Sequence, residues 1–331
     1  MKLFYADHFD LPLPPRHRFP MAKYYRLREH LASGPNSAAF EFCEPPAVTD
    51  QQLQQAHDPV YLRKIVQGDL SQVEERRIGF PWSSQMVERS RRSVGGTLSA
   101  ARAALKEWIA VNLAGGTHHA FADSGQGYCV FNDTAVAARV LQAEGAVRRV
   151  LIVDCDVHQG NGTAAIFAED PSVYTFSMHA GSNYPFRKHA ADLDLALPDG
   201  ATDQEYLGQL DPALNRVLKQ AQADLVFYIA GADPYAGDRL GRLQLTKPGL
   251  MARDRMVMSR CRDWGVPLAV AMGGGYAREI SDIVEIHANT VAVALQWFQS
   301  RGNLVAELGE RHPRKLPSAG EKIDGCSQTG W

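Results

Sequence analysis

Asp156 and His158 stand two apart in DCDVH, directly after an apolar run at 150–153. If the extended conformation continues that far, both side chains emerge on one face, because strand side chains alternate with period two. A carboxylate and an imidazole so placed suit a divalent metal of the zinc type, and three protein ligands plus water define a catalytic zinc site. Asp233, after another apolar run, is the third candidate. Taken singly, Asp156 reads as an N-cap and His158 as a satisfied loop histidine. The three together, at strand ends, favour a metal centre.

His118 and His119 are adjacent in GGTHHA. Neighbours on an extended segment face opposite ways, so two catalytic imidazoles here require a turn, which the preceding glycines permit. The bland reading is a polar surface pair. Tyr276 follows Gly273, Gly274 and Gly275, a run without the Walker or GxGxxG spacing of a phosphate loop. It reads either as a glycine turn delivering a phenol to an oxyanion or as a turn before a core tyrosine.

These residues must be carried by something rigid. The runs 150–153, 173–176, 225–229 and 268–271 are continuously apolar, as parallel strands covered on both faces require. Helices fit before, between and after them at 133–143, 204–221, 247–264 and 277–298. That order predicts a mostly parallel, doubly wound α/β sheet in one domain over residues 1–310, with a tail at 311–331. AGGTHHA follows an apolar stretch near Val111, and DCDVHQGNG, SMHAGS, GADPYAGD and GGGY follow the four runs. Ligands of open parallel sheets bind outside the carboxyl ends of the strands, so five such ends point at one site.

The chain of 331 residues has 45% apolar and 22% charged residues and a net charge of −2, which argue for ample core and against a general affinity for nucleic acid or anionic membrane. The clusters Arg89, Arg91, Arg92 and Arg311, Arg314, Lys315 read as solvated faces or tails. No segment offers the roughly 20 apolar residues of a membrane span, nor the N-terminus a signal-type run. Five scattered cysteines without a CxxC pair give no disulfide framework and no cysteine zinc site. A cytoplasmic protein with reduced thiols is expected.

GGTHHA, GQGYCVFND, VDCDVHQGNG, YTFSMHAGSNYP, GADPY and GGGY together resemble, in order and spacing, the histone deacetylase and acetylpolyamine amidohydrolase superfamily. HQGNG, with HRFPMAKY and RSVGGT, looks like its class IV and bacterial branch. By that resemblance Asp156, His158 and Asp233 match the zinc ligands, His118 and His119 the tandem histidines, and Tyr276 the tyrosine that polarises the scissile carbonyl. Asp154 resembles the carboxylate that orients the first histidine, while Asn161 stands where many relatives have an aspartate beside the second. Gly127 and Tyr128 match the tunnel wall, where Tyr128 replaces a common phenylalanine; His179 and Gly274 are also assigned to the tunnel. Asp154, Asp156, His158, Ser177 and Met178 resemble a structural monovalent-cation site, usually potassium.

The resemblance implies hydrolysis of an acylated lysine or related amine, with zinc as Lewis acid and His119 as first choice of base. Two other readings compete. A ureohydrolase of the arginase type needs a further carboxylate where this chain has Gly160, and an acyl-lysine-binding scaffold would be expected to have lost a ligand or the tyrosine.

Overall fold

The structure, a computed structural model, describes residues 1–9 and 11–311, without the side chains of 301–311. The expected tail, with Arg314, Lys315 and Cys326, lies outside the described residues, apart from Arg311 at the end of the last helix.

All strands join one parallel sheet: β1 (Lys2–Phe4), β2 (Glu41–Cys43), β3 (Ile109–Asn112), β4 (Val150–Asp154), β5 (Val173–Ala180), β6 (Leu193–Leu197), β7 (Leu225–Ala230) and β8 (Leu268–Met272). Their spatial order is β2-β1-β3-β8-β7-β4-β5-β6. In β4 and β7 alternate residues enter different cores. Leu151, Val153, Val226 and Tyr228 face one, and Val150, Ile152, Leu225, Phe227 and Ile229 face the other. This two-sided burial explains why the runs are continuously apolar.

The first core is completed by α1 (Ala22–Ser33), α8 (Asp203–Ala221), α9 (Lys247–Asp263) and α10 (Ile280–Arg311). Against the second pack α3 (Pro59–Gln67), α5 (Ser84–Glu107) and α6 (Asp133–Ala143). Each fully buried Val, Leu, Ile or Phe contributes roughly 1.5–3 kcal/mol, so the central strands are anchored from both faces. The loops at their carboxyl ends start from a fixed base. The described residues also hold three shorter helices, α2 (Asp50–Leu53), α4 (Gln72–Ile78) and α7 (Asn161–Phe167).

The expected helices and central strands are present with ends shifted, most at the last helix, which continues to Arg311. β5 differs in a way that matters. The chain was expected to leave the sheet after residue 176, but Ser177, Met178, His179 and Ala180 pair with β6 and remain in the strand. No helix among the described residues is long and apolar enough to cross a membrane, and the four described cysteines are free thiols.

Candidate active site

β4 ends at Asp154, so the chain does not carry strand alternation through to His158. Carboxylate turns do the positioning instead. Asp154 Oδ1 accepts from Asp156 N at 3.0 Å, and Asp156 Oδ1 accepts from His158 N at 2.9 Å. Each aspartate thereby fixes the residue two positions on, as Asx turns do. Asp233 enters from the loop after β7, and its Oδ1 accepts from Val157 N at 3.0 Å. The loops of two neighbouring strands are thus tied together.

Asp156, His158 and Asp233 each offer a ligand atom, and these atoms lie within 4.8 Å of one another, all buried. His158 Nδ1 is 3.0 Å from Asp156 Oδ1 and 3.2 Å from Asp233 Oδ2, the latter without hydrogen-bond geometry, so this buried oxygen has no partner. Burial, with the charge of Asp156, pushes the Asp233 carboxyl up to about 7. Burial opposes a charged His158, yet the hydrogen bond to Asp156 and the charges of both carboxylates raise it to about 10. Two carboxylates packed this closely repel unless they share a cation; protonated His158 is that cation in the metal-free site, and a divalent metal suits the same three donors. Gly274 completes the floor. Its N donates to Asp156 Oδ2 at 2.6 Å, and a Cβ there would fall 1.9 Å from Asp233 Oδ2, so no side chain fits.

Beneath the two loops lies Arg253, which has no exposed surface. Its Nη1 donates to the carbonyls of Cys155 and Gly231 at 3.2 and 2.7 Å, while Nε and Nη2 donate to Asp254 Oδ1. Asp254 also accepts from Tyr228 Oη and Thr290 Oγ1. The Arg253→Met variant leaves this carboxylate buried without its counter-charge. Chemical denaturation of the metal-free protein is expected to show about 3–5 kcal/mol of lost stability. A loss below about 1 kcal/mol, the size of a surface pair, would contradict this account of the clamp.

The histidine pair does sit on a turn. Gly115 and Gly116 have φ of 84° and 69°, and Asp133 accepts from Gly116 N, Thr117 N and Thr117 Oγ1. The rings lie against each other at 46°, with centroids 4.1 Å apart. His118 Nδ1 lies 2.6 Å from Asp154 Oδ2, and His119 Nδ1 lies 2.8 Å from Asn161 Oδ1. With oxygen acceptors at both Nδ1 atoms, each Nδ1 carries the proton and each Nε2 is left to the site. The environments then separate the pair. Burial works against charge on His118, but Asp154 and Asp156 outweigh it and raise the ring to about 9. Burial and the neighbouring charges of His118 and His158 hold His119 well below the usual histidine range.

Tyr276 is fixed by its backbone. Its N donates to Asp238 Oδ2 at 2.6 Å and its carbonyl accepts from Arg239 Nε at 2.8 Å. Burial and the charges of Asp233 and Asp156 raise its phenol well above the ordinary range, so the hydroxyl keeps its proton. Tyr276, His119 and His158 line a cavity of about 380 Å³ with Gly127 and Tyr128. A smaller void behind it also touches Gly274 and His118. Tyr184, from the 183–186 segment, sets its ring against His119 at 5.0 Å.

His179 is not brought to the cavity. It is buried in β5, with Nδ1 3.0 Å from Ser177 Oγ, because the strand runs on past residue 176. Ser177 is the register partner of Asp154, and Met178 is fully buried. Sequence reasoning missed Asp133, Asp238 and Arg253; for Asp133 the Asn-Asp pair opening α6 was an available signal.

A family profile described as Histone deacetylase domain matches residues 17–291. The chain is 45% identical over 284 residues to an uncharacterised protein of Picosynechococcus sp., covering 86% of this chain and 95% of that protein. It is 30% identical over 301 residues to Histone deacetylase 2 of Arabidopsis thaliana, covering 86% and 78%. To Histone deacetylase 1 of Homo sapiens it is 28% identical over 277 residues, covering 77% and 56%. Among solved structures, the HDA15 HD domain aligns with a TM-score of 0.75 at 22% identity over 93% of this chain and 96% of that one, a likeness of fold.

Proposed function

The chain belongs to the histone deacetylase family and is a hydrolase of that family, and we propose that it cleaves the amide bond of acylated lysine with the help of zinc. One observation carries the reading: three metal-type donors, two differently held histidines and a buried phenol converge on one cavity.

Asp156, His158 and Asp233 would hold the zinc, and the unpartnered Asp233 Oδ2 supports the fit. Bound zinc supplies Lewis acidity toward the acyl carbonyl and acidifies water. His119, neutral and with Nδ1 committed to Asn161, takes the water's proton at Nε2 as general base. The same nitrogen returns a proton to the leaving amine as the C–N bond breaks. His118, held cationic against Asp154, places positive charge beside the developing negative charge. Tyr276 donates its hydroxyl hydrogen bond to the oxyanion. Gly127 and Tyr128 would wall the lysine methylenes. A structural potassium ion would sit among Asp154, Asp156, His158, Ser177 and Met178. Residues 1–310 would work as one catalytic domain.

The two-metal ureohydrolase reading is opposed at Gly160, where a Cβ would fall 2.4 Å from Asp154 Oδ2 and leave no room for a carboxylate. The direct test incubates the purified protein with an acetyl-lysine peptide, with and without chelator. Acetate and free lysine amine are expected, lost on chelation and restored by zinc. A zinc-loaded protein that binds such peptides but turns none over would support the scaffold reading instead.

Asn161 gives a pH prediction. A carboxylate beside an imidazole favours the imidazolium, whereas the amide at 2.8 Å orients His119 without that charge. Asn161→Asp raises the pKa of His119, so more base is protonated at a given pH. The acidic limb of kcat/KM is therefore expected to move to higher pH. A limb that stays in place, with metal content intact, would show that His119 is not the base.

A further inference from the structure

The helix at Gln72–Ile78 ends in Arg76, Arg77 and Ile78, and its last turn is strapped to the cavity wall. Gly127 N donates to the Arg77 carbonyl at 3.0 Å and Tyr128 N to the Ile78 carbonyl at 2.7 Å. Arg76 and Arg77 are exposed, line the cavity and, among the described residues, form no ion pair. From the segment after β7 comes Arg242, also exposed and lining the cavity. Its N donates to Asn183 Oδ1 at 3.0 Å, and its Nη1 lies 3.2 Å from Asp199, the one carboxylate among the described residues paired with these three arginines. No described residue lining this cavity is Asp or Glu. The positive rim is local, because the whole chain carries a net −2.

Exposed arginines are ordinarily just solvated. What separates these is their position: the buried His119, His158 and Tyr276 occupy the inner end, so the arginines stand where the rest of a substrate must emerge. Neighbours of a threaded acyl-lysine would pass them within about one Debye length, roughly 8 Å at physiological salt, close enough for charge to act. A polyamine would instead bring its remaining ammonium groups against like charges.

We propose that the cavity mouth selects acylated lysines flanked by acidic residues and disfavours acylated polyamines, with Arg76, Arg77 and Arg242 as the specificity-determining residues. The proposal rests on the deacylase reading and narrows its substrate class.

The test uses the full chain loaded with zinc and four probes: acetyl-lysine peptides of equal length with acidic, neutral or basic flanks, and mono-acetylated putrescine. kcat/KM is measured at low and high salt, and binding of labelled peptides by fluorescence anisotropy. The expected order is acidic, neutral, basic, with a spread on the order of tenfold at low salt that narrows at high salt. Arg76→Glu with Arg77→Glu is expected to reverse the order, and Arg76→Gln with Arg77→Gln to flatten it. Equal values for all three peptides, a preference for the basic peptide or the acetylated putrescine, or an unchanged order in both double variants would overturn the proposal. If nothing is hydrolysed, the deacylase reading fails, and the anisotropy order still decides the charge preference.

Discussion

Replacing Asp233 with alanine is expected to abolish activity and metal retention together. Among the described residues its carboxylate is the only ligand candidate from the loop after β7, and the loss should exceed the roughly 10–100-fold that an outer hydrogen-bonding partner costs in metal affinity. The isosteric Asp233→Asn keeps the site's shape and exposes a second signature. In the metal-free protein the Asp233 carboxyl is lifted from its ordinary 3.8 to about 7 by burial and by Asp156. A carboxyl so raised withdraws stability from the fold as pH rises from 3.8 through 7, and the full cost is present above that. Metal-free Asp233→Asn should therefore melt above metal-free wild type at pH 8 while binding zinc far more weakly. Full metal occupancy of either variant by elemental analysis would remove Asp233 from the site.

Tyr276→Phe should behave in the opposite manner, keeping fold and metal and losing rate. The backbone anchors at Asp238 and Arg239 do not involve the hydroxyl, so the ring remains where it is. A donor aimed at a developing oxyanion contributes about 2.7–4 kcal/mol, or 10²–10³ in kcat. An unchanged kcat with a raised KM would mark uniform binding instead and end the oxyanion role.

The central strands were legible because burial on both faces leaves a plain signature in Val150–Asp154, Leu225–Ala230 and Leu268–Met272. The edges left none. β1 and β2 have three residues each, and β6 is mostly half-buried, so neither run length nor alternation marks them. The full length of β5 was hidden for a related reason: Ser177 and His179 interrupt the apolar run, yet pairing with β6 carries the strand through them. Asp156 and His158 bring their ligand atoms into one cluster through carboxylate turns rather than continued strand. The partners of the histidines were legible only through family resemblance. Asp238 and Arg253 act on residues 38 and 98 positions away, a range that local pattern does not carry.

The most direct measurement is a zinc titration of the chelated, metal-free protein against an acetyl-lysine peptide, with acetate release followed at each addition. The account predicts no turnover without metal, a linear rise in rate and saturation at one equivalent per chain. Turnover in the metal-free protein, saturation at two equivalents, or no acetate at any zinc level would contradict it.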